Sequence, residues 1–270
     1  MMATLRMWEN ALMKTVQTLS QMKQAGEKIA CLTCYDFSLA RLLSDAGVDV
    51  LLVGDSVDMV AAGKASTLGA TMEQMVYHTA CVARGNAGAL LVADMPFGSY
   101  EADNRGAFGN ARRLIGDGGA HMVKVEGAAA AGCVEFLSAR GILVCGHLGL
   151  TPQHLHRLGG YKTQAKGKAA AGKLLRDARR LQDCGAAMLV LECVPPPAAA
   201  QVAETLAIPV IGIGAGADCD GQILVLHDAL GLYPGPSPAF AVNFMQRNDS
   251  IRGAVNDYVT SVKTGAFPPR

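Results

Sequence analysis

The sequence predicts an α/β fold, a single (β/α)8 barrel over residues 1–270 with an N-terminal helical cap over 1–27, and three observations carry this. First, short runs rich in Val, Ile and Leu recur and end on an acid or a reactive polar residue. Residues 48–53 run into Gly54-Asp55-Ser56, 89–93 into Asp94, 122–125 into Glu126, 142–146 into His147 and 188–191 into Glu192. A run that is apolar throughout reads as a strand buried on both faces, as in parallel sheets covered by helices. Second, helical patterns alternate with these runs, and right-handed crossovers make such a sheet parallel. Third, the length suits one barrel and no Pro/Ser-rich linker divides it; in a closed parallel barrel the C-terminal strand ends open onto one functional face.

In chain order, the amphipathic stretch 1–24 reads as a helix that plugs or caps the barrel. Residues 28–33 form the first predicted strand and 38–46 its helix, with Asp36 and Ser38 supplying N-cap oxygens. After the second strand, 48–53, a Gly-, Ala- and Ser-rich loop over 61–70 leads to Thr71, the cap of a helix reaching about residue 87. The third strand, 89–93, precedes a helix over 105–117, and the fourth, 122–125, one over 129–139. Strand five, 142–145, is followed by a Gly/Lys-rich segment, 148–167, too long for an ordinary βα connection and of the size of a functional lid. A helix over 173–184, strand six at 188–191, a helix over 197–206 and strand seven at 209–213 come next. The eighth unit is placed around 227–232 and 251–264.

Lys and Arg number 24 against 23 Asp and Glu, which gives no electrostatic reason for nucleic acid or an anionic membrane and favours a small polar metabolite. No apolar stretch reaches membrane-spanning length, and Glu9 interrupts the N-terminal stretch, so no signal sequence is expected and the chain is assigned to the cytoplasm. The eight cysteines lie mostly inside strand or helix patterns and read as free thiols in a reducing compartment. Cys31 and Cys34 have CxxC spacing on a predicted strand, with no following helix N-terminus to lower a thiol pKa; coincidence is the reading.

Asp55 and Asp94 follow neighbouring strands at matched positions, so two carboxylates can share one hard cation. An oxygen-only pair suits magnesium better than zinc, which favours His or Cys. Either Asp alone would read as a helix cap or turn residue. Lys124 and Glu126 point to the same side of a strand, because its side-chain period is two. They read either as an internal ion pair or as a substrate-carboxylate binder beside a metal-associated acid, and the two are compatible. Glu192 ends an apolar strand, where partial desolvation favours a general base. His147 reads as a base, a ligand or a structural histidine. The run 212–216 is glycine-rich after strand seven, where barrels often bind phosphate, but its likeness to GxGxxG is too loose to assign a dinucleotide site.

Several segments carry a family resemblance: Val53-Gly54-Asp55-Ser56, Ala93-Asp94-Met95-Pro96-Phe97, Val123-Lys124-Val125-Glu126-Gly127, Cys145-Gly146-His147-Leu148-Gly149-Leu150-Thr151-Pro152-Gln153, Leu191-Glu192-Cys193-Val194-Pro195 and Asp220-Gly221-Gln222-Ile223. In unbroken order with further matches over about 13–264, the chain resembles the ketopantoate hydroxymethyltransferases. The resemblance implies a (β/α)8 barrel, a homodecamer, magnesium held by Asp55 and Asp94 with Glu126 as a metal-associated acid, and a 2-oxo acid bound by Ser56 and Lys124 beside His147. It also implies Glu192 as proton acceptor and 5,10-methylenetetrahydrofolate as one-carbon donor to 3-methyl-2-oxobutanoate. A related barrel using the same metal-enolate chemistry on another 2-oxo acid, such as a lyase of the phosphoenolpyruvate mutase kind, is the rival within enzymes; a paralogue without turnover is the rival outside them. The chain departs from the family pattern at Asp58, where glycine is usual, at Gly98 where methionine is usual, and at Ala239 and Val242 where lysines are usual. Asp58 is expected to add a third carboxylate near the metal.

Overall fold

A computed structural model describes residues 13–269, so positions 1–12 of the expected N-terminal helix lie outside the described residues. Eight parallel strands close in sequence order into a barrel: β1 (Ile29–Thr33), β2 (Val50–Val53), β3 (Leu90–Asp94), β4 (Met122–Glu126), β5 (Val144–Gly149), β6 (Met188–Glu192), β7 (Val210–Ile213) and β8 (Gly221–Leu224). β8 returns to pair with β1, with Cys31 opposite Ile223.

Side chains alternate along each strand, and the alternation builds two apolar layers. One set points inward and makes the barrel interior: Val50 and Leu52, Leu90 and Val92, Met122, Cys145, Met188 and Val190. The other set points outward to the surrounding helices. Burying each such aliphatic side chain is worth roughly 1.5–3 kcal/mol. Continuing the inward set by the same period of two reaches Asp94 on β3, Lys124 and Glu126 on β4, His147 on β5 and Glu192 on β6. The interior is therefore apolar below and polar at its C-terminal mouth.

The helices start where local chemistry dictates. Asp36 accepts from Leu39 N–H at the start of α2 (Phe37–Asp45), so Asp36 rather than Ser38 is the cap. Thr71 and Gln74 form a capping box at α4 (Met72–Gly85). Helix α1 (Val16–Ala25) sends Leu19 and Met22 into the interior cluster from below, and Lys23 pairs there with Asp220 at 2.6 Å. The mouth above stays open for chemistry.

Two expectations need correcting. Strand five runs to Gly149, so His147 lies within it and not beyond its end; its neighbours on β4 and β6 both supply ladder partners along that stretch. The eighth strand is Gly221–Leu224, upstream of the expected 227–232, which instead overlaps a short helical turn, Leu226–Ala229. All four residues of the strand pair with β1, and Gly221 and Gln222 pair with β7 as well, while the expected stretch carries His227 and Asp228 and breaks the strand pattern. Cys31 faces the interior and Cys34 the helices, so the two thiols of the CxxC spacing point apart, and both are free.

Candidate active site

Asp55, Ser56, Asp94, Lys124, Glu126, His147 and Glu192 all line one cavity of about 670 Å³ at the C-terminal mouth. Strand register brings them together laterally. Asp94 lies opposite Lys124 and Glu126 opposite His147. Lys124 Nζ sits 2.5 Å from Asp94 Oδ1 and 3.7 Å from Glu126 Oε1. His147 lies between two acids, Nδ1 3.0 Å from Glu126 Oε1 and Nε2 3.3 Å from Glu192 Oε2. Asp55 donates its backbone N–H to Asp94 Oδ2 at 3.1 Å, which draws the ends of β2 and β3 together. Glycine at 54 leaves room for the Ser56 side chain, since a Cβ there would lie 2.7 Å from Ser56 Oγ. Ser56 Oγ is 2.9 Å from the Tyr35 hydroxyl at the cavity wall.

Two buried residues assigned no role from sequence join the site. Gln153 Nε2 donates to Asp55 Oδ2 and to Met95 O, both at 2.9 Å, and its backbone N–H donates to Glu126 Oε2 at 3.0 Å. The Tyr100 hydroxyl donates to Gln153 Oε1 at 2.6 Å and accepts from Glu126 N–H at 3.0 Å. Neither residue ends an apolar run. The only signal for Gln153 was its place in a matching segment, and Tyr100 had none.

Burial opposes charge on Asp55, Lys124, Glu126 and His147, and their neighbours decide which of them hold it. Burial would depress His147, but Glu126 and Glu192 outweigh it and raise the imidazole to about 9, so it is cationic at neutral pH. Lys124 is likewise held charged against burial by Asp94, Glu126 and Asp55. The Glu126 carboxyl is lowered despite burial by His147 and Lys124. Asp55 goes the other way: burial and the charges of Asp94 and Glu126 push its carboxyl well up.

That imbalance bears on a metal. Four carboxylates, Asp55, Asp94, Glu126 and Glu192, share the cavity with two cationic side chains, Lys124 and His147. Asp94 Oδ1 pairs with the Lys124 ammonium and Oδ2 accepts from Asp55 N–H, and each carboxylate oxygen, which can accept twice, keeps capacity for a second positive partner. The donor set thus suits a hard divalent cation at Asp55 and Asp94, bound through oxygen. Among the described residues no group of three or more His, Cys, Asp or Glu side chains is arranged to hold a metal ion, and both Glu126 oxygens are engaged, by His147 and Gln153.

Asp58 departs from expectation. It is fully buried, pairs with Lys64 Nζ at 2.9 Å and accepts from Gln74 Nε2 at 3.3 Å, and does not line the cavity. The short turn of α3 (Val57–Val60) rotates it away from Asp55, so it ties the loop after β2 to the start of α4. The glycine-rich run also has a packing cause: Gly214, at φ +59°, lies under the Phe240 ring, and a Cβ there would be 2.6 Å from it. Ala239 lines the cavity, and Gly98, at φ +86°, occupies a backbone conformation that favours glycine.

Residues 13–270 match the family model described as Ketopantoate hydroxymethyltransferase. The chain belongs to the ketopantoate hydroxymethyltransferase family. A 3-methyl-2-oxobutanoate hydroxymethyltransferase of Methylobacillus flagellatus is 57% identical over 252 residues, covering 93% of this chain and 96% of the relative. One from Neisseria meningitidis serogroup A is 53% identical over 257 residues, 95% of this chain and 97% of the relative. Among solved structures, oxaloacetate acetylhydrolase with oxalate matches at a TM-score of 0.59 and 16% identity, covering 93% of this chain and 97% of that one. Phosphonopyruvate hydrolase with oxalate and magnesium matches at 0.60 and 13%, over 82% and 84%. At such identities these two likenesses speak for the barrel alone.

Proposed function

We propose that this ketopantoate hydroxymethyltransferase family member transfers a hydroxymethyl group from 5,10-methylenetetrahydrofolate to 3-methyl-2-oxobutanoate, giving 2-dehydropantoate for pantothenate synthesis. The observation that carries the reading is the grouping, in one cavity, of an Asp55–Asp94 oxygen pair, a cationic Lys124 and a separate carboxylate, Glu192. Asp55 and Asp94 are the residues that would hold magnesium, with Glu126 behind them joined to Asp55 through Gln153. Bound there, magnesium supplies Lewis-acid stabilisation of negative charge at the substrate's keto oxygen.

The protein's own groups do the rest. Lys124 and Ser56 bind and orient the 2-oxo acid by charge and hydrogen bonding. Glu192 accepts the proton from C3, the carbon next to the carbonyl. His147, cationic beside Glu192 and Glu126, holds the Glu192 carboxylate toward the cavity. The electron pair left at C3 adds to the methylene carbon carried by folate, and water releases tetrahydrofolate and the hydroxymethyl product. Tyr161, Tyr233 and Phe240 supply the aromatic wall a flat pterin needs. The protein acts as a homo-oligomer in the cytoplasm, which sedimentation of the purified chain checks for assembly.

The test incubates the protein with 3-methyl-2-oxobutanoate and methylenetetrahydrofolate, with and without a chelator. Product is expected only when the folate is present and the chelator absent. Turnover of the 2-oxo acid without folate points to a lyase, and turnover indifferent to chelator removes the metal.

A further inference from the structure

We infer that Gln153 and Tyr100 form a positioning pair that pre-orients the Asp55 carboxylate and thereby sets the affinity of the site for a divalent cation; this rests on the metal reading above. Gln153 and Tyr100 are buried, at 3% and 4% exposure, and neither touches solvent enough to be exchanged for water. Gln153 sits on the one-turn helix Pro152–His154 beyond β5, and Tyr100 on the loop after β3. Together they reach Asp55 beyond β2 and both the backbone and side chain of Glu126 on β4. Four strand ends are joined by one hydrogen-bonded circuit.

The direction of that circuit is determined. Glu126 N–H occupies a lone pair of the Tyr100 oxygen, so the hydroxyl proton is free to go to Gln153 Oε1. That turns the amide with Nε2 toward Met95 O, a carbonyl that can only accept, and toward Asp55 Oδ2. Glutamate at 153 could not donate there, and leucine would leave three buried acceptors or donors without partners. The need for such a donor follows from the local charge. Asp55 lines the same cavity as Asp94 and Glu126, and among several acids a carboxylate is held in one orientation by a fixed amide donor. A carboxylate held at one oxygen presents the other in a single direction, and outer partners of this kind typically change metal affinity by about 10–100-fold.

The experiment titrates the purified protein with magnesium by calorimetry, at fixed pH, for the unmodified chain, Gln153→Leu, Tyr100→Phe and the double variant. The expected result is a Kd raised about 10–100-fold in Gln153→Leu and by a smaller factor in Tyr100→Phe. The double variant is expected to match Gln153→Leu, since the tyrosine acts through the amide. Raising magnesium in proportion to the Kd should restore turnover in Gln153→Leu, which a general loss of structure would not allow. An unchanged Kd in both single variants, or strictly additive effects in the double variant, overturns the pair. Should Gln153→Leu fail to fold, Tyr100→Phe, which removes one oxygen, decides alone. Absence of magnesium binding by the unmodified chain overturns the metal reading itself, and is distinguished by that control.

Discussion

Asp58 and Lys64 form a pair whose two ends are unequally buried, and this asymmetry predicts unequal costs of removal. Asp58 is fully buried, whereas the Lys64 side chain is 46% exposed. Lys64→Met leaves a carboxylate in the interior with only Gln74 as partner. Stranding a buried charge costs roughly 3–5 kcal/mol, and the remaining amide and nearby solvent place this case at about 3. Asp58→Asn keeps the shape and an acceptor for Gln74 and releases Lys64 to water, for a loss of about 1 kcal/mol, one modest hydrogen bond. The difference of about 2 kcal/mol is roughly a 30-fold change in the folding equilibrium. Urea unfolding at neutral pH measures both. Equal losses in the two variants would falsify the burial asymmetry. A salt-dependent change in KM for Asp58→Asn would put Asp58 back beside the substrate.

Asp94→Asn should leave the fold intact and abolish tight magnesium binding with most activity, because an amide keeps the shape and loses the charge; near-normal turnover at modest magnesium would sink the assignment. Glu192→Gln should still bind the 2-oxo acid yet lose exchange of its C3 proton with solvent, a defect in kcat more than in KM, and retained exchange seen by NMR would move the base elsewhere. His147, raised from 6.5 to about 9, contributes stability that is fully present below pH 6.5 and is lost as pH rises through 9. Thermal midpoints across that window should fall with pH more steeply in the unmodified chain than in His147→Gln, and parallel curves would contradict it.

The barrel was legible because its evidence is local. Runs such as Val50–Val53 and Leu90–Asp94 are apolar throughout, and caps such as Asp36 and Thr71 need only their own side chains and the next turn. The period of two likewise places Lys124 and Glu126 on one side of β4 with no reference to any contact. Sequence by itself therefore determined which strand ends carry acidic and basic side chains and the family to which the chain belongs. Tertiary structure decided where those side chains turn. Glu126 faces His147 and Gln153 because the β4–β5 register and the loop beyond β5 bring them there, which no local pattern encodes. Asp58 follows Asp55 by three residues, which by spacing alone predicts a neighbour of the metal, but the turn of α3 and its partners Lys64 and Gln74 hold it outside the cavity. Gln153 lies 98 positions from Asp55 along the chain, so only closure of the barrel could make it a partner of that carboxylate.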